Sequence, residues 1–264
     1  MEPAHTAHGV AERRPAPPHV VHPLIEFAGV TKQFDTGTVA VEHADLKIGR
    51  HDFVAVVGPS GCGKSTLLRM AAGLERPSSG TVSLSTDSVG FIFQEPTLLP
   101  WRTVRANVEL CAELSGSSRS ATKKRAAEAI TAVGLDQFAD HLPKTLSGGM
   151  KMRASMARAL TLSPEVLLLD EPFGALDEMT RLDMQVELQR LYTQRGFTSM
   201  FVTHSVSEAV YLANRVVVMT PRPGRIAGIV DVDFSYPRAE ELRFEPRFTD
   251  YVAEVTALLH GRPA

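Results

Sequence analysis

The chain has 264 residues, an apolar fraction of 44% and a formal net charge of −2. That length suits one large domain, or a domain with a lobe. The near-neutral charge gives no basic excess, so nucleic acid is not an expected partner, and no apolar run approaches the roughly 20 residues that a bilayer-spanning helix needs. Its two cysteines, Cys62 and Cys111, make neither a metal-ligand spacing nor a disulfide framework, which fits a reducing cytosol. The first residues lack the apolar centre of a secretory signal. A protein of this composition working at a membrane must dock to something embedded there.

Residues 1–22, rich in Pro, Ala, Glu and His, read as a disordered tail. His5, His8, His19 and His22 are irregularly spaced and lack nearby Cys or carboxylate clusters, which favours a solvated tail over a metal site. Strands are expected at 25–29, 42–48 and 53–57, then a helix over 66–72 stopped by Gly73. Further β-rich runs lie at 81–85 and 89–93. From about 102 the pattern turns helical: 103–114, then 120–133 with Gly134 as its stop, then a third helix from about Ser147. Strands return at 166–169, 199–203 and 215–219, as continuous apolar runs expected of parallel strands buried on both faces. Helices at about 180–195 and 206–214 separate them, the second opened by a Ser205–Glu208 capping box. Residues 236–264 read as a short tail. Strands alternating with helices predict an α/β sheet, with the helical block of about 95–162 inserted into it.

Chemistry concentrates at three places. Gly58-Pro59-Ser60-Gly61-Cys62-Gly63-Lys64-Ser65-Thr66 follows an apolar strand and opens a helix. It is a phosphate-binding P-loop: glycines turn backbone N–H groups inward, and the helix N-terminus adds partial positive charge. Lys64 is suited to the β and γ phosphates and the Ser65 hydroxyl to Mg²⁺. A P-loop alone fits kinases, GTPases, helicases and transport ATPases. The second place is the strand end Val166-Leu167-Leu168-Leu169-Asp170-Glu171. In a parallel sheet this is the edge where ligands gather, so Asp170 is suited to hold Mg²⁺ and Glu171 to act as general base on a water. The third is Leu146-Ser147-Gly148-Gly149-Met150, a Ser-Gly-Gly turn opening a helix and thus a second anion-binding N-terminus. It either caps its own helix or serves the nucleotide of a partner subunit.

Together these motifs resemble the ATP-binding subunit of an ABC transporter, over about residues 23–235. The P-loop resembles that family's Walker A, Asp170 and Glu171 its Walker B aspartate and catalytic glutamate, and 146–150 its LSGGQ signature with Met150 in place of Gln. Gln94 after Phe91-Ile92-Phe93 resembles the Q-loop glutamine, Gly174-Ala175-Leu176-Asp177 the D-loop, and Thr203-His204 the H-loop. Phe34 matches the aromatic that stacks on adenine, with a core phenylalanine as the other reading. The resemblance implies a RecA-like P-loop NTPase core with an inserted helical subdomain and an antiparallel β subdomain. It also implies ATP and Mg²⁺ as ligands, hydrolysis with Glu171, His204, Gln94 and Lys64 as catalytic residues, and Ser65, Gln94 and Asp170 around the metal. Two copies would share each site, one supplying the P-loop and the other Ser147, Gly148 and Gly149 with Asp177 nearby.

The segments 94–104, 146–153, 170–177 and 220–225 further resemble importers of nitrate, sulfonates and taurine. That implies a transmembrane permease as direct partner, a second ATPase subunit, a solute-binding protein acting indirectly, and a peripheral place on the cytoplasmic face of the inner membrane. Other ABC ATPases, of exporters, of lipoprotein release or outside transport, are the alternative. Trp101, the single tryptophan, is either a core aromatic or part of the surface on which the permease docks.

Overall fold

The computed structural model describes residues 22–261. His5, His8, His19 and nearly all of the expected N-terminal tail lie outside that range. Among the described residues no group of three or more His, Cys, Asp or Glu side chains is arranged to hold a metal.

Two sheets organise the chain. A three-stranded antiparallel sheet has the order β2-β1-β4, from β1 (Ile25–Gln33), β2 (Val39–Ile48) and β4 (Ser79–Leu84). A six-stranded sheet has the order β5-β6-β7-β3-β8-β9, from β5 (Val89–Ile92), β6 (Val166–Asp170), β7 (Thr198–Thr203), β3 (Phe53–Val57), β8 (Arg215–Met219) and β9 (Ile226–Asp231). All its pairings are parallel except the last, β8 with β9.

Side chains alternate across a strand, and here both faces are buried. Phe53, Ala55, Val57, Leu167, Leu169, Phe201, Val216 and Val218 enter a core shared with the helices. Val54, Val56, Val166, Leu168, Met200, Val202, Val217 and Met219 enter a second core with β1, β2 and helix α1 (Lys64–Ala71). That is why these strands are unbroken apolar runs. The helical block, α2 (Val104–Leu114), α3 (Arg119–Ala132) and α4 (Gly148–Leu160), falls between β5 and β6 as expected. Helices α5 (Glu178–Arg195) and α6 (Val206–Leu212) carry the crossovers to β7 and β8.

The structure departs from the sequence reading at the bounds of two helices, in the C-terminal segment and in β9, which no expected strand covers. Helix α1 starts at Lys64 rather than Thr66, because Gly63 adopts φ 101° and turns the loop directly into the helix. Helix α6 stops at Leu212, since the Asn214 side chain accepts a 2.9 Å hydrogen bond from the Phe53 amide and ties the chain to β3. The segment read as a C-terminal tail contains α7 (Pro246–Leu259). Pro246 suits a first helical position. Phe248 and Val255 are buried, and Tyr251, Val252, Leu258 and Leu259 pack against the same core, a stripe at helical spacing.

Candidate functional site

Strand order brings the functional loops to one edge. The carboxyl ends of β5, β6, β7 and β3 are consecutive neighbours. Ile92 pairs with Leu169, Asp170 with Val202, and Val57 with Thr203. Gln94, Asp170–Glu171, His204 and the P-loop therefore emerge side by side.

The P-loop is built where only glycine fits. Gly61 and Gly63 take φ of 75° and 101°, a region costly for residues with a Cβ. A Cβ on Gly63 would lie 2.6 Å from the Ala40 carbonyl oxygen, and one on Gly58 2.7 Å from Cys62 Sγ. No side chain caps the start of α1, so its first amides face the cleft as donors for an anion. Lys64 is buried, and its Nζ donates to the carbonyls of Gly58 at 3.0 Å and Pro59 at 3.2 Å. The ammonium thus arches over the loop and ends 3.7 Å from Glu171.

The Ser65 hydroxyl donates to Asp170 Oδ1 at 2.6 Å. Two oxygens of the hard kind that Mg²⁺ prefers are thus already together, and a phosphate-bound Mg²⁺ needs few protein ligands. Glu171 sits at φ 42°, a left-handed backbone that costs a non-glycine residue about 1–2 kcal/mol. Its amide donates to the Val202 carbonyl, which holds the side chain out over the edge. Glu171 Oε2 lies 3.2 Å from His204 Nδ1, and His204 is exposed. Gln94 is exposed as well, and its Nε2 would lie 3.5 Å from a Cβ on Gly174, beside Glu171.

Phe34 is a surface residue, not a core one. It is 37% exposed, lies under the Lys32 ammonium at 5.1 Å, and lines the P-loop cleft with Ala40, Ser60, Gly61, Lys64 and Ser65. A ring there can stack on a flat heterocycle. Thr66 also lines this cleft. Arg222 joins it too, with Nε donating to the Gly61 carbonyl at 3.0 Å. Sequence reasoning noted the 220–225 segment but attached no role to Arg222, because its approach to the P-loop is purely tertiary.

Cys62 does not line the cleft. Its thiol is 1% exposed and packs in the second core, and burial pushes its pKa up. The P-loop therefore uses only the backbone of Cys62. Cys62→Ser is expected to keep ATPase activity, and a thiol reagent at pH 8 is expected to label Cys111 first and leave nucleotide binding intact. Loss of binding with the first labelled thiol, identified by peptide mapping, would contradict this.

The signature residues form a separate cluster. Ser147 caps α4, its Oγ accepting from the Met150 amide at 3.3 Å. A Cβ on Gly149 would meet Thr180 Cγ2 at 2.4 Å, and one on Gly148 would meet Leu176 at 3.5 Å. Asp177 caps α5, accepting from the Thr180 amide at 3.1 Å and its hydroxyl at 2.7 Å. These bonds, the amide's foremost, hold its carboxyl below the usual range. Ser147, Gly148, Gly149 and Asp177 thus pack together, and none of them lines the P-loop cleft. Met150 leans on the core with its side chain, leaving the cap to Ser147.

These residues fit a nucleoside triphosphate with a hard divalent cation, and similar proteins bind ATP or ADP. The family model described as ABC transporter matches residues 41–174. A putative ATP-binding protein of Brucella abortus (strain 2308) is 48% identical over 249 residues, 91% of this chain and 95% of that protein. The aliphatic sulfonates import ATP-binding protein SsuB 1 of Mesorhizobium japonicum is 46% identical over 85% of this chain and 86% of its own length. Among solved structures, the dimeric bacterial ABC transporter cassette MJ0796 superposes with a TM-score of 0.71 at 31% identity, covering 80% of this chain and all of that one. A second structure of that cassette, a post-hydrolysis dimer bound to ADP and Pi, matches equally at 30% identity. The chain belongs to the ABC transporter family, as an ATP-hydrolysing ATP-binding subunit.

Proposed function

We propose that this subunit energises uptake of a small solute, such as a sulfonate, taurine or nitrate, through a partner permease, with two copies closing around shared ATP sites. The observation that carries the shared site is the division of the motif residues into two clusters. One cleft has phosphate, cation and base groups on a single sheet edge. The other cluster, at Ser147–Gly149 and Asp177, has an anion-binding helix start and does not line that cleft. A second copy facing head to tail would complete each with the other. The importer reading is supported by similarity to the sulfonate-import subunit over most of both chains.

In each composite site, Phe34 stacks on adenine and the backbone of residues 58–66 holds the phosphates. Lys64 turns from the Gly58 and Pro59 carbonyls to the β and γ phosphates. Ser65 and Asp170, with Gln94 as a further donor, would hold Mg²⁺, which would supply charge neutralisation on the phosphates. Glu171 takes a proton from the attacking water as it adds to the γ-phosphorus and the bond to ADP breaks. His204, hydrogen-bonded to Glu171, holds that carboxylate on the water side. Closure is favoured while the γ-phosphate bridges the copies and is lost with ADP, a ligand-controlled switch.

Docking to the permease has a candidate surface. Trp101 is 73% exposed, which rules out the core reading. Its loop is held rigidly: buried Asn107 accepts from the Leu99 amide and donates to the carbonyls of Leu99, Arg102 and Thr103. Arg158 of α4 binds the carbonyls of Pro96 and Thr97, so the segment after Gln94 is bolted to the helix that starts at the signature. Trp101 emission should shift when detergent-solubilised permease is titrated in; an unaltered spectrum at saturation would count against this surface. The function itself is tested in proteoliposomes carrying the co-purified permease, with its solute-binding protein. ATP-dependent inward accumulation of a labelled aliphatic sulfonate, taurine or nitrate is expected, and efflux only would contradict the importer reading.

A further inference from the structure

We propose that Glu208 is a positioning residue for the hydrolytic pair Glu171–His204, tying the C-terminal segment and the Leu176 turn to it through polar contacts. Glu208 stands at the third position of α6, where a capping-box glutamate would reach back to the Ser205 amide. It does something else. The Ser205 amide donates to the Thr203 hydroxyl at 3.0 Å, and that hydroxyl donates to Glu208 Oε2 at 2.5 Å. The carboxylate thus grips the last residue of β7, immediately before His204, through a side chain that is itself 2% exposed.

The other carboxylate oxygen faces α5. Gln185 Nε2 donates to Glu208 Oε1 at 3.2 Å, and Arg181 Nε approaches the same oxygen at 3.7 Å. Arg181 also donates to the Leu176 carbonyl at 2.9 Å, in the turn that precedes Asp177. Gln185 Oε1 in turn accepts from Arg243 Nη2 at 2.5 Å, and the Arg243 guanidinium stacks over the Tyr211 ring at 3.4 Å. A polar chain, buried from Gln185 inward, therefore runs Arg243–Gln185–Glu208–Thr203, and the next residue is the histidine that meets Glu171.

A plain capping role would need none of this. A carboxylate only 7% exposed is costly to bury unless partners converge on it, and here they come from β7 and α5, with Arg243 of the C-terminal segment one bond further out. Removing the hub frees the Thr203 hydroxyl and lets His204 drift. A misplacement near 1 Å in a reacting geometry costs up to about a hundredfold in rate.

The test compares Glu208→Ala, Glu208→Gln, Thr203→Val and Arg243→Ala in the full chain, reading kcat, the Kd for a fluorescent ATP analogue, and melting temperature. Glu208→Ala and Thr203→Val should each lower kcat about tenfold to a hundredfold, with the nucleotide Kd held within about twofold. Their double variant should fall little further than either alone, because both act on one contact. Glu208→Gln keeps an oxygen acceptor for Thr203 and should stay within about threefold of the parent. Arg243→Ala, at the outer end of the chain, should lower kcat severalfold at constant Kd. In a Glu171→Gln background, Glu208→Ala should add no further loss to residual hydrolysis. Unchanged kcat in Glu208→Ala, kcat and Kd losses in step, or full additivity with Glu171→Gln would each overturn the proposal. An unaffected Arg243→Ala would remove the C-terminal arm.

Discussion

Glu171→Gln is expected to bind ATP with near-parental affinity and to hydrolyse it about 10²–10⁴-fold more slowly, the range for losing a general base. The substitution keeps the volume, the φ of 42° and a polar contact toward His204 at the position now 3.2 Å away. What it removes is the basic lone pair. Lys64 loses a carboxylate at 3.7 Å, but its ammonium remains held by the Gly58 and Pro59 carbonyls, so the phosphate cradle is left in place. Phosphate release measured beside equilibrium nucleotide binding separates the two effects. Hydrolysis within about tenfold of the parent would assign the proton transfer to another group.

Gly224→Ala is expected to damage ATP binding and stability together, although Gly224 belongs to none of the motifs that touch phosphate. A Cβ there would lie 1.9 Å from the Cys62 carbonyl oxygen, 2.9 Å from Met219 Cε and 3.1 Å from the Ala40 carbonyl oxygen. Two of these are backbone atoms of the P-loop and β2, so no rotamer change relieves the overlap. The Gly224 amide donates to Ala40, and its carbonyl accepts from Glu42. The 220–225 loop thus clamps the P-loop to the antiparallel sheet that carries Phe34. Forcing it outward should cost about 1–3 kcal/mol, the usual range for overpacking, and weaken ATP binding by distorting residues 61–63. The checks are a denaturant midpoint and a binding titration on the purified variant. A variant with parental values in both would mean the loop accommodates the methyl group, and the clamp is not rigid.

Much of the core was readable in the sequence because it depends on local order. A strand, a glycine loop and a helix in succession identify the phosphate cradle, and hydrophobic runs ending in Asp170–Glu171 and Thr203–His204 place their polar residues on the ligand edge of a parallel sheet. Helix α7 is also written locally, in the Phe248, Tyr251, Val252, Val255, Leu258 and Leu259 stripe after Pro246. β9 was missed because alternation in Ile226–Asp231 is diluted by Gly228, against which Leu258 packs within about the reach of one added methyl group. The roles of Arg222 and Gly224 are not legible at all, and Glu208 is legible only as the end of a capping box, not as a hub reaching α5. Their partners lie far away in the chain, at Gly61, Cys62 and Gln185 respectively, and no local pattern encodes such meetings. The resemblance assigns Ser147–Gly149 and Asp177 to the nucleotide of a second copy, and within one chain they do stand apart from the P-loop cleft.

That separation makes the shared site the claim on which most depends. The measurement that tests it most directly is the size-exclusion mass of the Glu171→Gln protein with ATP and with ADP, ATP occupancy being checked on the same fractions. Two copies closing around ATP predict a dimer with ATP and a monomer with ADP. A monomer under both conditions, with ATP demonstrably bound, would contradict closure between two copies of this chain.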